Sequence, residues 1–337
     1  MHVTSDQAPT LRLLLSQQAL DHWGAAIGKV LAARPHELVT IESAVAQART
    51  DLDLAFITRD VTGLSTKYEL APSLQACYNV LRHSRGLRWV QIHSAGADRE
   101  IYLELRARGV AISTSSGASA EVVAQSALAG VLALARRFPQ LMRAQLAHRW
   151  EPLLGERLPR DLGGQTALLV GWGPIGQRIG AVLRLLGLRL MVVRTQAAPT
   201  ADGVEFVDFD SFHAVLPRAD WLLLACPLTE RTRQLVDARA LNALPQGACL
   251  INVARGEVVE QVALLAALRS GRLAGAMLDV FEHEPLPADS ALWDMPQVII
   301  TPHSAGHSDG NAQRIAAMFL DNLRRWCDGQ MPLNLAP

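Results

Sequence analysis

Polar side chains follow three predicted strands in the second half of the chain: Arg255 after the first, Asp279 and Glu284 after the second, and His303 after the third. Ligands collect at the carboxyl ends of strands in an open parallel sheet, so we expect an arginine, a carboxylate and a histidine to share a site. An arginine can bind a carboxylate and a keto oxygen through charge-assisted hydrogen bonds. A histidine can donate a proton to that oxygen, while a carboxylate fixes the tautomer of the ring and stabilises its protonated form. Beside a nicotinamide, this set of residues is suited to reducing a 2-oxo acid.

An earlier segment has the pattern of a dinucleotide-binding turn. Gly171-Trp172-Gly173-Pro174-Ile175-Gly176 is a G-x-G-x-x-G sequence between a predicted buried strand, Ala167–Val170, and an apolar periodic segment typical of a helix. In such a turn the first glycine permits the bend, the second lets a pyrophosphate approach, and the third lets the helix pack on the strand. Gly187 should end the helix, and Leu188–Val193 should form the next strand. A glycine-rich turn without a ligand is the alternative, but the strand–turn–helix context favours a dinucleotide.

Strands and helices alternate over the whole chain, which predicts the α/β class with two doubly wound parallel sheets. The strands predicted for the first unit are Leu11–Leu15, Leu38–Ile41, Leu54–Ile57, Trp89–Ile92 and Val110–Ile112. Those predicted for the second unit, beyond the two around the glycine-rich turn, are Trp221–Ala225, Cys249–Val253, Ala274–Leu278 and Val298–Thr301. The predicted helices include Gln18–Ala33, Ala71–Arg82, the long apolar helix Ser119–Arg137 and the final helix Asn311–Cys327. The last of these should return to the first unit, because its apolar face needs a partner.

Composition narrows the class of protein. The chain has 337 residues, enough for about two domains, and is 50% hydrophobic and 19% charged. Lys+Arg and Asp+Glu both number 32, so no basic field favours nucleic acid or an acidic membrane. The first ten residues lack the pattern of a signal peptide, and no apolar run is long enough to span a bilayer. The four cysteines form no C-x-x-C pair. We therefore expect a soluble cytoplasmic protein with no nucleic-acid or membrane partner.

Several motifs, in order, resemble those of the D-isomer-specific 2-hydroxyacid dehydrogenase family over about Leu11–Gln330. They are LRWVQIHSAGAD (87–98), GWGPIG, ADWLLLACPLTERTRQLV (219–236), LINVARGEVV (250–259), AGAMLDVFEHEPLP (274–287) and TPHSAG (301–306). The resemblance implies a Rossmann cofactor domain, residues 116–301, inserted into a discontinuous flavodoxin-like substrate domain, residues 1–115 and 302–337. It also implies a homodimer built around the long helix.

The resemblance assigns roles to individual residues. It implies that Arg255, Glu284 and His303 are catalytic and that Asp279 faces the nicotinamide ring. It implies substrate binding by the backbone N–H groups of Ser94, Ala95 and Gly96 together with Arg255 and His303. The predicted cofactor contacts are Gly171, Gly173, Pro174, Ile175, Gly176, Arg194, Thr195, Cys226, Pro227, Val253, Ala254, Asp279, His303, Ala305 and Gly306. The implied reaction is hydride transfer between NADP(H) and a 2-oxo or D-2-hydroxy acid, of the glyoxylate/hydroxypyruvate reductase type.

Position 194 departs from the pattern of NAD-using members, which have an acidic residue there. A guanidinium at Arg194 can pair with the 2′-phosphate of NADP, and Thr195 can add a hydroxyl. The alternative is a solvated arginine that tolerates either cofactor, since no second basic residue follows closely. We predict that NADP(H) is preferred and that NAD(H) is possible.

Other functions remain open at the level of sequence. A phosphite or other small-anion dehydrogenase of the same family is one alternative, and a non-catalytic NAD(P)-sensing corepressor-like protein is another. No metal is predicted, because the pair His303 and His307 has no apparent third ligand. Arg59, after the third strand, either lines the substrate cleft or is a solvated turn residue. The substrate side chain, the strictness of the NADP preference, the physiological direction and the oligomeric state are not determined by the sequence.

Overall fold

The computed structural model describes residues 9–66, 69–200 and 202–336. The prediction about a signal peptide falls mainly on residues 1–8, which lie outside this range. Two compact units are present: the residues up to Ser119 together with those from Ser308 onward, and Ala120–His307. Over the described ranges, no helix combines the length and apolar character that crossing a bilayer requires.

The first unit contains a parallel sheet of five strands in the order β2-β1-β3-β4-β5 over the described residues. Its strands are β1 (Leu11–Leu15), β2 (His36–Thr40), β3 (Leu54–Ile57), β4 (Trp89–Ile92) and β5 (Ala111–Ser113). Its helices are α1 (Gln17–Leu31), α2 (Ile41–Ala46), α3 (Arg59–Thr62), α4 (Pro72–His83), α5 (Glu100–Ala107) and, at the other end of the sequence, Asn311–Cys327. This strand order is the flavodoxin-like one, with its switch point between β1 and β3.

The helix Asn311–Cys327 packs in the first unit, where its apolar face joins a buried cluster with α1 and the sheet. Phe319 is fully buried, and its ring stacks on Phe56 at a centroid distance of 4.1 Å. Trp89 lies against the same ring at 5.7 Å. These aromatic contacts bury large apolar surfaces and hold the returning helix on the sheet.

The second unit contains a parallel sheet of seven strands in the order β12-β11-β10-β9-β6-β7-β8 over the described residues. Its strands are β6 (Thr166–Val170), β7 (Arg189–Val193), β8 (Val204–Val207), β9 (Trp221–Leu224), β10 (Ala248–Asn252), β11 (Leu273–Leu278) and β12 (Val298–Ile300). Its helices are α6 (Ala120–Ala135), α7 (Phe138–Leu146), α8 (Pro174–Leu185), α9 (Phe212–Val215), α10 (Ala238–Ala243) and α11 (Gln261–Arg269); the helix Asn311–Cys327 is α12. Buried clusters on both faces of the sheet form its core, as expected for the Rossmann arrangement.

The predicted α/β class with two parallel-sheet domains is confirmed, but the second predicted strand is shifted and two elements were not predicted. The strand predicted at Leu38–Ile41 is His36–Thr40, because Thr40 Oγ1 accepts a hydrogen bond from Ser43 N at 3.2 Å and starts α2. Strand β8 was not predicted; only Val204 of its residues is fully buried, so its apolar pattern is weak. Helix α7 was also missed, since Ala144 is its one buried residue.

Candidate active site

Three neighbouring strands of the second unit carry the residues predicted to be catalytic. Arg255 follows β10, Glu284 lies in the loop after β11, and His303 follows β12. These strands are adjacent in the order β12-β11-β10, and all run parallel. Their carboxyl ends therefore lie at one edge of the sheet, which brings the three residues to a common region of this unit.

The His303 ring and the Glu284 carboxylate form a direct pair. His303 Nδ1 lies 2.7 Å from Glu284 Oε2. Since a carboxylate only accepts, Nδ1 carries the hydrogen in this contact, and Nε2 is left to hold or release a proton. The His303 side chain is 52% exposed and that of Glu284 is 24% exposed. A carboxylate in the protein thus orients an imidazole that is accessible to a ligand.

Asp279 holds the loop that carries His303, a role that the sequence did not show. Its buried Oδ1 accepts hydrogen bonds from Thr301 Oγ1 at 2.6 Å, Ser304 N at 2.8 Å and Ala305 N at 2.9 Å. Its backbone carbonyl also accepts from His303 N at 2.8 Å. His303 has a φ of 51°, in the left-handed region that costs energy for a residue with a side chain. The hydrogen bonds to Asp279 offset that cost.

The turn that carries Arg255 is fixed by Asn252 and Gly256, which sequence reasoning also missed. Asn252 Oδ1 accepts from Ala254 N at 3.0 Å, and its Nδ2 donates to Arg255 O at 3.1 Å. A Cβ at Gly256 would collide with the backbone carbonyl of Phe281, so the turn packs against the loop that leads to Glu284. The signal available in the sequence was an Asn at the end of a buried strand, a residue type that favours turns.

The ionisation of Glu284 is set by opposing effects. Burial raises its pKa, but the hydrogen bond and charge of His303, the N–H of Phe281 and the charge of Arg255 together place it below the ordinary value. Phe281 N donates to Glu284 Oε1 at 3.0 Å. Burial likewise raises the pKa of Cys226 to about 12, only partly countered by a backbone hydrogen bond and then by the charge of Arg255. Glu284 is therefore a carboxylate at neutral pH, and Cys226 is a neutral thiol.

The glycine-rich turn has the shape that a pyrophosphate requires. Gly171 has a φ of +103°, and a Cβ there would lie 2.7 Å from the carbonyl oxygen of Ala225. A Cβ at Gly176 would collide with the carbonyl of Gly171, so α8 starts tightly against the turn. A Cβ at Gly173 would meet nothing within 4 Å, so there is open space in front of α8. Pro174 is the first helical residue and no side chain caps the helix, which leaves its first turn suited to phosphate.

The predicted adenosine end of the cofactor site lies at the end of β7. The Arg194 guanidinium lies over the Phe206 ring at 5.7 Å from the centroid, and Phe206 packs edge-on against Trp172 at 5.5 Å. Arg194 is partly buried and Thr195 is exposed. The cation is thus supported by an aromatic pair next to the glycine-rich turn.

The other predicted contacts divide between the two units. In the second unit, Cys226, Val253, Ala254 and Ala305 are buried at strand ends, and Pro227 O accepts from Thr232 Oγ1 at 2.7 Å. Ile175 and Gly306 are partly buried in the same unit.

Ser94, Ala95 and Gly96 belong to the first unit, in the loop after β4. There Ser94 Oγ donates to Gly96 O at 2.8 Å, and Ser94 O accepts from Ser115 N at 2.9 Å. Among the described residues of the chain, no cluster of three or more metal-ligating side chains is found.

We expect the substitution Glu284→Gln to remove a pH-dependent part of the stability. Because the pKa of Glu284 is lowered by folding, its charge stabilises the folded state fully above the ordinary value of 4.5. That contribution is lost as pH falls through the lower folded-state value. Urea denaturation at a series of pH values should show wild type more stable than the variant at neutral pH, with the difference shrinking in acid. Glu282→Gln is the control, and an unchanging difference for Glu284→Gln would contradict the assignment.

Comparison with known proteins places these features in a family. Residues 128–305 match the family described as D-isomer specific 2-hydroxyacid dehydrogenase, NAD binding domain. A glyoxylate reductase of Korarchaeum cryptofilum is 33% identical over 74% of this chain and 76% of its own length. An (S)-sulfolactate dehydrogenase of Chromohalobacter salexigens is 36% identical over 65% of this chain and 71% of its own.

A solved structure extends the similarity over nearly the whole chain. The D-isomer specific 2-hydroxyacid dehydrogenase of Xanthobacter autotrophicus Py2, in complex with NADPH and MES, has a TM-score of 0.75 and 27% identity and covers 98% of both chains. These similarities confirm the resemblance carried by the motifs and the need for a nicotinamide cofactor. The chain belongs to the D-isomer specific 2-hydroxyacid dehydrogenase family and is a hydride-transferring 2-hydroxyacid oxidoreductase.

Proposed function

We propose that this chain acts as an NADPH-dependent reductase of small 2-oxo acids, of the glyoxylate/hydroxypyruvate type. The observation that carries the proposal is the 2.7 Å contact between His303 Nδ1 and Glu284 Oε2 at the edge where Arg255 also lies. A relative named for glyoxylate reduction supports the reaction. The relative named for sulfolactate leaves the substrate side chain open.

Each of the three residues has a separate task in this proposal. Arg255 binds the substrate carboxylate and polarises the keto oxygen, because its charge and paired N–H groups suit both. His303 gives the proton on Nε2 to the keto oxygen as the bond order of the carbonyl falls. Glu284 keeps the hydrogen on Nδ1 and stabilises the imidazolium before transfer. The nicotinamide, when bound, supplies the hydride to the keto carbon.

Two further groups of residues bind rather than react. In the first unit, the N–H groups of Ser94, Ala95 and Gly96 are proposed to receive a substrate carboxylate. In the second, the turn Gly171–Gly176 is proposed to hold the pyrophosphate, with the remaining predicted contacts along the dinucleotide. Asp279, assigned to the nicotinamide ring from the family resemblance, already uses Oδ1 to hold the loop of His303. We propose that Asp279 contributes to cofactor binding indirectly, by holding the loop that contains the predicted contacts His303 and Ala305.

The substitution His303→Gln should lower kcat by about 10²- to 10⁴-fold, because the proton donor is lost. The thermal unfolding midpoint of the variant should change little, which separates this loss from unfolding. The assay is a panel of 2-oxo acids with NADPH, followed by the absorbance of the reduced nicotinamide. His283→Gln, an exposed histidine in the loop after β11, is the control. If no 2-oxo acid is turned over by wild type, the proposed function fails; near-normal turnover by His303→Gln would refute the role of His303.

The preference for NADPH is proposed from Arg194. Its guanidinium, stacked over Phe206, is a cation at the end of β7, where a carboxylate would repel a 2′-phosphate. The exposed hydroxyl of Thr195 can add a hydrogen bond. A solved relative that is described in complex with NADPH is consistent with this proposal.

Exchanging this cation for a carboxylate should reverse the preference. In Arg194→Asp, kcat/KM with NADPH should fall about 10- to 100-fold, the range of one lost charge-assisted hydrogen bond, while NADH is used as well or better. Arg189→Gln, an exposed arginine at the start of the same strand, is the control. An NADH preference in wild type would overturn the proposal.

A homodimer is proposed from the apolar surface of the second unit. Near α6 and α7, Leu146 and Trp150 are 82% and 95% exposed, and Phe138 and Met142 are more than half exposed. Phe138, Met142 and Leu146 are four residues apart on α7 and so share one face of the helix, and an exposed apolar face of this kind usually marks an interface.

The four free cysteines also agree with a reducing cytoplasmic location.

Light scattering should give the mass of two chains for wild type. Met142→Glu should move the population toward one chain, because the charge would be buried on association. The exposed Val262 on α11 offers the control Val262→Glu. A monomeric wild type at micromolar concentration would rule out the dimer.

A further inference from the structure

Arg59 occupies the ligand-binding edge of the first unit without a role in the proposed function. It follows β3 and is the first residue of α3. In the order β2-β1-β3-β4-β5, the switch point lies between β1 and β3, and ligands bind at the carboxyl ends beside such a point. Ser16, after β1, and Thr58, before Arg59, approach each other there, with their hydroxyl oxygens 3.3 Å apart.

The Arg59 cation has no counter-ion in the part of the chain that the structure describes. Among the described residues, its guanidinium has neither a hydrogen bond nor an ion pair, and neighbouring Asp60 does not pair with it. Arg59 is an exposed residue at this edge, so an anion from solution can reach its side chain. Partial desolvation of the guanidinium and the charge of Arg99 both lower the pKa of Arg59, which shows that a second cation lies near it.

The segment around Arg59 is tied to the loop proposed for the substrate carboxylate. His93 Nε2 lies 2.9 Å from Thr62 Oγ1, which joins the end of α3 to the residue before Ser94. Arg99 donates to Ser65 O at 2.9 Å and to Thr66 O at 2.8 Å, which joins the two loops a second time. These Arg99 N–H groups already bond to carbonyl oxygens. Of the two arginines, Arg59 is therefore the one with hydrogen-bond donors available to a ligand.

We propose that Arg59 binds an anionic group on the substrate side chain, so that the preferred substrates are 2-oxo acids with a second acidic group. This inference rests on the proposed function, since it names the substrate class of the same reaction. The planar guanidinium suits a carboxylate, a sulfonate or a phosphate through paired hydrogen bonds. Glyoxylate, which lacks a side chain, would make no use of Arg59.

The test compares 2-oxo acids that differ in the side-chain charge. Oxaloacetate, sulfopyruvate and phosphohydroxypyruvate carry a carboxylate, a sulfonate and a phosphate on the side chain. Hydroxypyruvate and glyoxylate are the references, because neither has a charged side chain. In wild type, kcat/KM for at least one anionic substrate should exceed that for hydroxypyruvate. Arg59→Gln should lower that value about 10- to 100-fold, the range for a lost charge-assisted hydrogen bond, and leave glyoxylate within about twofold. Arg59→Lys should recover part of the loss, whereas Arg85→Gln, an exposed arginine ahead of β4, should change neither.

The outcomes separate this inference from the proposed function. Two outcomes would overturn the role of Arg59 alone. One is turnover of glyoxylate without a preference for any substrate with an anionic side chain. The other is an equal loss of kcat/KM for substrates with and without that charge in Arg59→Gln. If no 2-oxo acid is reduced, the proposed function fails, and calorimetric binding of D-malate against glycolate still tests Arg59. Tighter binding of D-malate that is lost in Arg59→Gln supports the inference; equal binding of the two acids overturns it.

Discussion

The carboxylate of Asp279 is the constraint on which the proposed catalytic geometry depends. One oxygen atom accepts from a hydroxyl and two backbone N–H groups of the loop after β12. Such groups, when buried, cost several kcal/mol unless paired, so the loop has one favourable path over the strand ends. On that path His303 adopts a left-handed backbone and its ring reaches Glu284. The position of His303, the proposed proton donor, is therefore determined by a buried acid that need not react.

Burial and nearby charge have opposite effects on the pKa values of Glu284 and Cys226 in this part of the second unit. Arg255 acts on both Glu284 and Cys226, lowering the pKa of each, while burial acts in the opposite direction. For Glu284 the charges and hydrogen bonds prevail, and for Cys226 burial prevails. The hydrogen bond and charge of His303 make the largest favourable contribution to the ionised Glu284, and Arg255 adds to it. The positive charge of Arg255 partly offsets the negative charge of Glu284, which favours the binding of an anionic substrate.

Much of the fold could be predicted because its signals are local. Buried strands such as β6 and β9 are continuous apolar runs, and Gly187 ends α8 as its φ of +83° permits. Strand β8 and helix α7 lacked such runs and were missed. The candidate site divides in the same way. Motifs predicted Arg255, Glu284 and His303, but the three bonds to Asp279 depend on a loop more than twenty residues away and have no pattern in the sequence.

The contact between Gly256 and the Phe281 carbonyl has a mechanical consequence. Two backbone segments that touch without an intervening side chain can neither slide nor separate without losing close packing. The turn of Arg255 and the loop of Glu284 therefore move as one body, whatever the second unit does elsewhere. This steric contact constrains their spacing in a way that dissolved salt does not screen. Salt should weaken the attraction of an anionic substrate while leaving the arrangement that receives it unchanged.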